Sequence, residues 1–72
     1  MSKTLDRLLM GAPIHRVHDR EGLNLYPVEG HEAEFDDLVR DLANLAGTEY
    51  VAFPRPAGPH HYDGVLVVRF DT

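Results

Sequence analysis

The strongest pattern of hydrophobic and polar positions lies between Gly30 and Gly47, where apolar residues recur with the period of a helix. The positions that share one face at 3.6 residues per turn are Phe35, Leu38, Val39, Leu42, Leu45 and Ala46. They predict an amphipathic helix from about Glu32 to Ala46 whose apolar stripe enters the core. Acidic residues crowd its first turns, and Gly47 suits the position just beyond its end.

Shorter patterns predict a second helix and four strands. Three leucines with helical spacing, followed by a stop signal at Gly11, predict a short helix from about Lys3 to Met10. Alternating or β-branched runs predict strands at Ile14–His18, Leu23–Val28, Glu49–Phe53 and Val65–Phe70. The first two strands are close enough to form a hairpin. Three prolines and two glycines between Pro54 and Gly64 predict a long irregular loop before the last strand.

The order of these elements, α-ββ-α-ββ, predicts a single α+β domain over residues 1–72. We expect a four-stranded, mainly antiparallel sheet with the long helix across one face, because this buries both sets of apolar residues. The nearly continuous apolar character of Val65–Phe70 predicts that this strand lies at the sheet centre. The short helix, a second copy of the chain or a partner protein must cover the other face, so a homodimer is one prediction.

Composition narrows the function classes. Twelve acidic and seven basic residues give a formal charge of −5, and the basic residues are scattered along the sequence, which argues against direct binding of nucleic acid. The chain contains no cysteine and no apolar run long enough to cross a membrane. We therefore expect a cytoplasmic protein that needs no cofactor.

The five histidines raise the question of a metal or acid–base site. His15 and His18 are three apart, which places them on opposite faces of a strand. The group His60, His61 and Asp63 in the predicted loop is the alternative site, for a metal ion or for proton transfer, and the other interpretation is solvated loop histidines. No phosphate-binding or nucleophile motif occurs, so we expect neither enzyme activity nor a catalytic residue.

Acidic residues concentrate on the outer face of the long predicted helix. Glu34, Asp37 and Asp41 lie together there at 100° per residue, and Glu32 extends the negative region toward the helix start. A face of this kind keeps a protein soluble, or it docks a basic partner by complementary charge. Tyr62, close to the proline-rich segment, is an additional candidate anchor for a partner.

The predicted build and acidic composition resemble those of phage-encoded inhibitors of bacterial machines, including some transcription inhibitors and anti-CRISPR proteins. The resemblance concerns architecture and charge and not a motif, so it implies a class of behaviour and transfers no residue. These observations favour a non-enzymatic protein–protein interaction module, a small inhibitor or regulator that docks on a basic or nucleic-acid-handling protein. The alternatives are an active loop at His60, His61 and Asp63, and a homodimeric accessory domain.

Overall fold

The computed structural model describes residues 3–47 and 49–70, with side chains from residue 5 onward. Its elements, in chain order, are α1 (Lys3–Leu9), β1 (Ile14–His18), β2 (Leu23–Pro27), α2 (Glu32–Asn44), β3 (Tyr50–Gly58) and β4 (His61–Arg69). This confirms the predicted α+β class and the order α-ββ-α-ββ. Neither described helix combines the length and apolar character needed to cross a membrane.

The four strands form one antiparallel sheet in the order β1-β2-β4-β3. The interior position of β4 confirms the prediction made from its continuous apolar character. In the register between β2 and β4, Leu23 pairs with Val67 and Leu25 pairs with Val65. Alternation along each strand sends these four side chains to the same side of the sheet, where all are buried.

The core lies between this side of the sheet and the two helices. Its buried apolar residues form one cluster, which consists of Leu5, Leu9, Leu23, Leu25, Phe35, Leu38, Val39, Leu42, Tyr50, Val65 and Val67. The Tyr50 hydroxyl donates to the carbonyl oxygen of Leu42 at 2.6 Å, so this buried polar group has a partner. Burial raises the pKa of Tyr50.

The predicted apolar stripe of α2 is buried except near its C-terminal end. Leu45 is 50% exposed, so its predicted place in the core was wrong. The helix ends at Asn44, two residues before the predicted end at Ala46, and Leu45 takes the C-cap position with φ −99° and ψ 1°. Its side chain therefore leaves the helical stripe.

The segment from Pro54 to Gly64 is the main correction to the sequence analysis. The predicted loop is instead the outer half of a hairpin, in which β3 continues to Gly58 and β4 starts at His61. The prolines are tolerated because β3 is an edge strand, where a missing N–H that faces solvent costs no ladder hydrogen bond. Register shifts next to Pro56 accommodate the rest of the segment.

The opposite side of the sheet is covered by no helix among the described elements. Phe53 on β3 and Val17 on β1 are 53% and 49% exposed there. The guanidinium of Arg55 crosses this side, donates to Asn24 Oδ1 at 2.8 Å and lies 6.0 Å from the centre of the Tyr26 ring. We call this side of the sheet the open side.

Gly64 makes room for this crossing. It pairs with Arg55 in the register between β3 and β4. A Cβ atom at residue 64 would lie 3.1 Å from the carbonyl oxygen of Leu25 and 3.2 Å from the Tyr26 ring. Glycine therefore lets the Tyr26 ring and the Arg55 side chain pack over the bare backbone of β4.

Candidate functional site

A groove of about 380 Å³ lies between α2 and the connection from α1 to β1. Its apolar side chains are those of Leu8, Met10, Ala12, Pro13 and Leu38, and its acidic ones are those of Glu34, Asp37 and Asp41. We call these eight residues the acidic groove. Met10 is 77% exposed, so a large apolar side chain stands uncovered beside three carboxylates.

Local geometry brings the two halves of the acidic groove together. Glu34, Asp37 and Asp41 follow each other at intervals of three and four residues, which places them on one face of α2. On the other side of the groove, the chain leaves α1 and turns at Gly11, whose φ of 72° lies in the left-handed region. This turn sets the apolar residues of the connection opposite the acidic face.

Partial pairing of the carboxylates leaves the acidic groove negative. Arg40 donates to Asp37, and Nδ1 of His31 lies 2.7 Å from Oε1 of Glu34. Both pairs are exposed, so each contributes little to stability and can be replaced by an incoming charge. Within the part of the chain that the structure describes, the Asp41 carboxylate forms no ion pair.

Two other predicted partner-binding residues lie outside the acidic groove. Glu32 stands at the start of α2, where its carboxylate accepts a hydrogen bond from the Gly30 amide at 3.0 Å. Tyr62 lies on β4, half-buried and packed against the core. Both side chains have structural roles where they stand, and the structure does not bring either into contact with the groove.

Asp36 is a candidate residue that the sequence analysis missed. Its buried carboxylate lies 2.8 Å from Nδ1 of His61 and accepts a hydrogen bond from the Tyr62 amide at 3.0 Å. The hydrogen bond to His61 lowers the pKa of Asp36 and the Tyr62 amide adds to this effect, whereas burial opposes it. These contacts tie the β3–β4 hairpin to α2. No sequence signal separates Asp36 from its acidic neighbours, because its partners lie in a segment that was predicted as a loop.

The alternative site at His60, His61 and Asp63 is divided by the hairpin. His60 lies in the turn, Asp63 is exposed on β4, and His61 contacts Asp36 instead of its sequence neighbours. No group of three or more His, Asp or Glu side chains within residues 5–47 and 49–70 is arranged to hold a metal ion. The His61–Asp36 pair therefore fixes a single imidazole at the surface.

Comparison with known proteins identifies no relative of this chain. No protein family, curated protein or solved structure matches this chain. Function has to be inferred from the sites themselves, because the fold class alone does not specify an activity.

Proposed function

We propose that this protein is a non-enzymatic interaction module that docks on a basic protein partner through the acidic groove. The observation that carries the proposal is the juxtaposition of the exposed Met10 and its apolar neighbours with the carboxylates of α2. A groove of this kind suits a segment that presents one apolar side chain flanked by lysine or arginine.

Charge supports this choice of partner. The chain carries a formal charge of −5, and the two ion pairs at the groove are exposed and weak. Complementary charge would speed the encounter and select basic partners, whereas burial of Met10 would supply affinity. Both contributions are needed, because exposed ion pairs alone add little to binding.

The size of the acidic groove suits insertion of a few side chains. A volume of about 380 Å³ gives room for a few side chains of a partner segment that lies across the groove. A partner segment rich in lysine and arginine also suits nucleic-acid phosphates. Under this proposal the protein is a small inhibitor or regulator that blocks the basic surface of a nucleic-acid-handling protein.

An array of synthetic peptides tests the proposal. Each peptide carries one leucine, methionine or phenylalanine between basic residues, and fluorescence anisotropy measures its affinity. We expect the triple variant Glu34→Gln, Asp37→Asn, Asp41→Asn to weaken the best peptide by about tenfold and to flatten its salt dependence. Met10→Ser should weaken the same peptide by about tenfold, since it removes the apolar contact.

A second triple variant serves as the matched control. Glu21→Gln, Glu29→Gln and Asp63→Asn neutralise three exposed carboxylates outside the acidic groove. This control removes the same total charge, so it should keep the affinity of the unmodified protein within a factor of about two. Equal affinities of the two triple variants, with circular dichroism showing that both are folded, would refute the acidic groove as the docking site.

A further inference from the structure

A second cavity, of about 400 Å³, lies on the other side of the connection between α1 and β1. Its lining includes Asp6, Leu9, Arg16, His18, Leu23 and Arg69. Two arginines and a histidine thus share a cavity with one carboxylate, in a chain whose formal charge is −5. We call these six residues the basic cavity.

Strand geometry explains why the basic side chains meet. Arg16 and His18 are two residues apart on β1, so their side chains lie on the same side of the sheet. Arg69 follows Val67 by two residues on β4, and Val67 pairs with Leu23 on that side. Residues from both ends of the chain therefore converge around Leu23, where the core ends.

Each of the two guanidinium groups makes one hydrogen bond to α1. Nη2 of Arg16 donates to the carbonyl oxygen of Leu9 at 2.7 Å, and Nη2 of Arg69 donates to Oδ1 of Asp6 at 2.9 Å. A guanidinium has five N–H donors, so each of these contacts leaves donors for a further acceptor. Two guanidinium groups with free donors thus line the same cavity as the side chains of Leu9 and Leu23.

We propose that the basic cavity binds a small organic anion, with its carboxylate or phosphate group on Arg16 and Arg69 and its apolar portion against Leu9 and Leu23. Guanidinium groups pair with either anion in a bidentate geometry. The volume of the cavity lies in the range of small-molecule sites, roughly 300–1,000 Å³. This site adjoins the acidic groove, because Met10 and Gly11 line both. Arg16 and Arg69 lie outside the groove, so the proposed anion contacts do not depend on the proposed docking function.

Substitution of Asp6 tests this proposal, because an anion site and a purely structural role of the arginines predict different changes in anion affinity. Its carboxylate accepts a hydrogen bond from Arg69, so it competes with an incoming anion for this guanidinium. Asp6→Asn therefore tightens anion binding. If the two arginines serve only to anchor α1 to the sheet, the same substitution loosens α1 and produces no anion site.

The experiment is a titration of the ¹⁵N-labelled protein with hexanoate, hexyl phosphate and the uncharged control hexanol, followed by amide and arginine side-chain NMR shifts. We expect saturable shifts around the basic cavity with the two anions and none with hexanol. Arg16→Gln and Arg69→Gln should each weaken binding by about tenfold, and Asp6→Asn should tighten it by about threefold. Arg40→Gln, which removes a positive charge outside the cavity, should change the affinity by less than a factor of about two.

Three results would overturn the proposal: no saturable shift up to about 10 mM anion, an equal response to hexanol, or weaker binding in Asp6→Asn. Should Arg16→Gln lose the dispersed spectrum of a folded protein, Arg69→Gln and Asp6→Asn still decide the question. Tighter binding of hexanoate would identify a carboxylate ligand, and tighter binding of hexyl phosphate would identify a phosphate ligand.

Discussion

The two sides of the sheet are held together by different interactions. One side packs on α1 and α2 through a continuous cluster of aliphatic and aromatic side chains. On the open side, Arg55 reaches over β4 to Asn24 and Tyr26, and Phe53 remains exposed. Apolar burial therefore accounts for most of the stability on the covered side, whereas the open side depends on a few polar contacts and close approaches.

The largest effect of a single substitution is expected on the covered side. Phe35→Ala removes a fully buried aromatic side chain and leaves a cavity, so it should lower the free energy of unfolding by about 3–5 kcal/mol. Urea denaturation followed by circular dichroism measures the loss. Leu45→Ala, at a half-exposed position just beyond the same helix, should cost no more than about 0.5 kcal/mol. Equal losses at the two positions would contradict the buried face assigned to α2.

The next largest effect is expected where the open side packs most closely. In Gly64→Ala the new methyl group presses on the Leu25 carbonyl oxygen and the Tyr26 ring, which should destabilise the protein by about 1–3 kcal/mol. Gly58→Ala is the control in the same hairpin, because its Cβ would meet no atom closer than 3.9 Å. If urea denaturation finds both variants equally stable, Tyr26 does not pack on the backbone of β4.

A pH-dependent effect is expected where α2 meets the hairpin. The pKa of Asp36 lies below its usual value of 3.8, because His61 and the Tyr62 amide stabilise the carboxylate. The unfolded state therefore binds the proton more readily than the folded state. The resulting stabilisation is complete above the unfolded-state pKa and is lost as the pH falls through the lower folded-state value.

Asp36→Asn tests this dependence, since it removes the titrating group. The stability gap between the unmodified protein and the variant should narrow between about pH 5 and pH 2 in urea denaturation experiments. Asp63→Asn, which removes an exposed carboxylate from the same hairpin, is the charge-matched control. If the difference in stability between the unmodified protein and Asp36→Asn stays constant over this range, the ionised carboxylate has no stabilising role.

A smaller effect is expected from the polar contact on the open side. Arg55→Gln removes a hydrogen bond to the buried Asn24 and the approach to Tyr26, so it should cost about 1 kcal/mol. Arg40→Gln removes the same charge from an exposed pair and should cost no more than about 0.5 kcal/mol. Thermal unfolding at one protein concentration compares the two variants. Equal melting temperatures would show that the contacts of Arg55 do not stabilise the open side.

The smallest change in monomer stability is expected for Phe53→Ser. The side chain is more than half exposed, so the free energy of unfolding should change by no more than about 0.5 kcal/mol. The same variant tests the predicted homodimer by sedimentation equilibrium. A second copy that covers the open side would make the unmodified protein dimeric and Phe53→Ser more monomeric. Identical monomeric behaviour of both proteins would reject this mode of assembly.

Local periodicity was sufficient to predict α2 and the first hairpin. The start of α2 at Glu32 and both ends of β1 agree with the sequence analysis. The second hairpin was missed for a physical reason. The prolines between residues 54 and 58 disfavour an interior strand but are compatible with an edge strand, and β3 is an edge only in the assembled sheet.

The candidate sites also differ in whether local sequence patterns could predict them. The three carboxylates of the acidic groove come from one helix, so the helical period brought them together in the sequence analysis. Asp36 meets a partner on β4, and the basic cavity combines Arg16 with Arg69 from the other end of the chain. Such contacts depend on strand order and register, which local patterns do not specify.

Gly64 has a consequence for how this sequence can diverge. A side chain at residue 64 would press on the Tyr26 ring, over which the Arg55 guanidinium lies. Substitutions at positions 24, 26, 55 and 64 are therefore not independent, because each of these residues contacts at least one of the others. In distant relatives of this protein, these four positions should change as a set, and such covariation would identify a shared fold after overall sequence similarity has been lost.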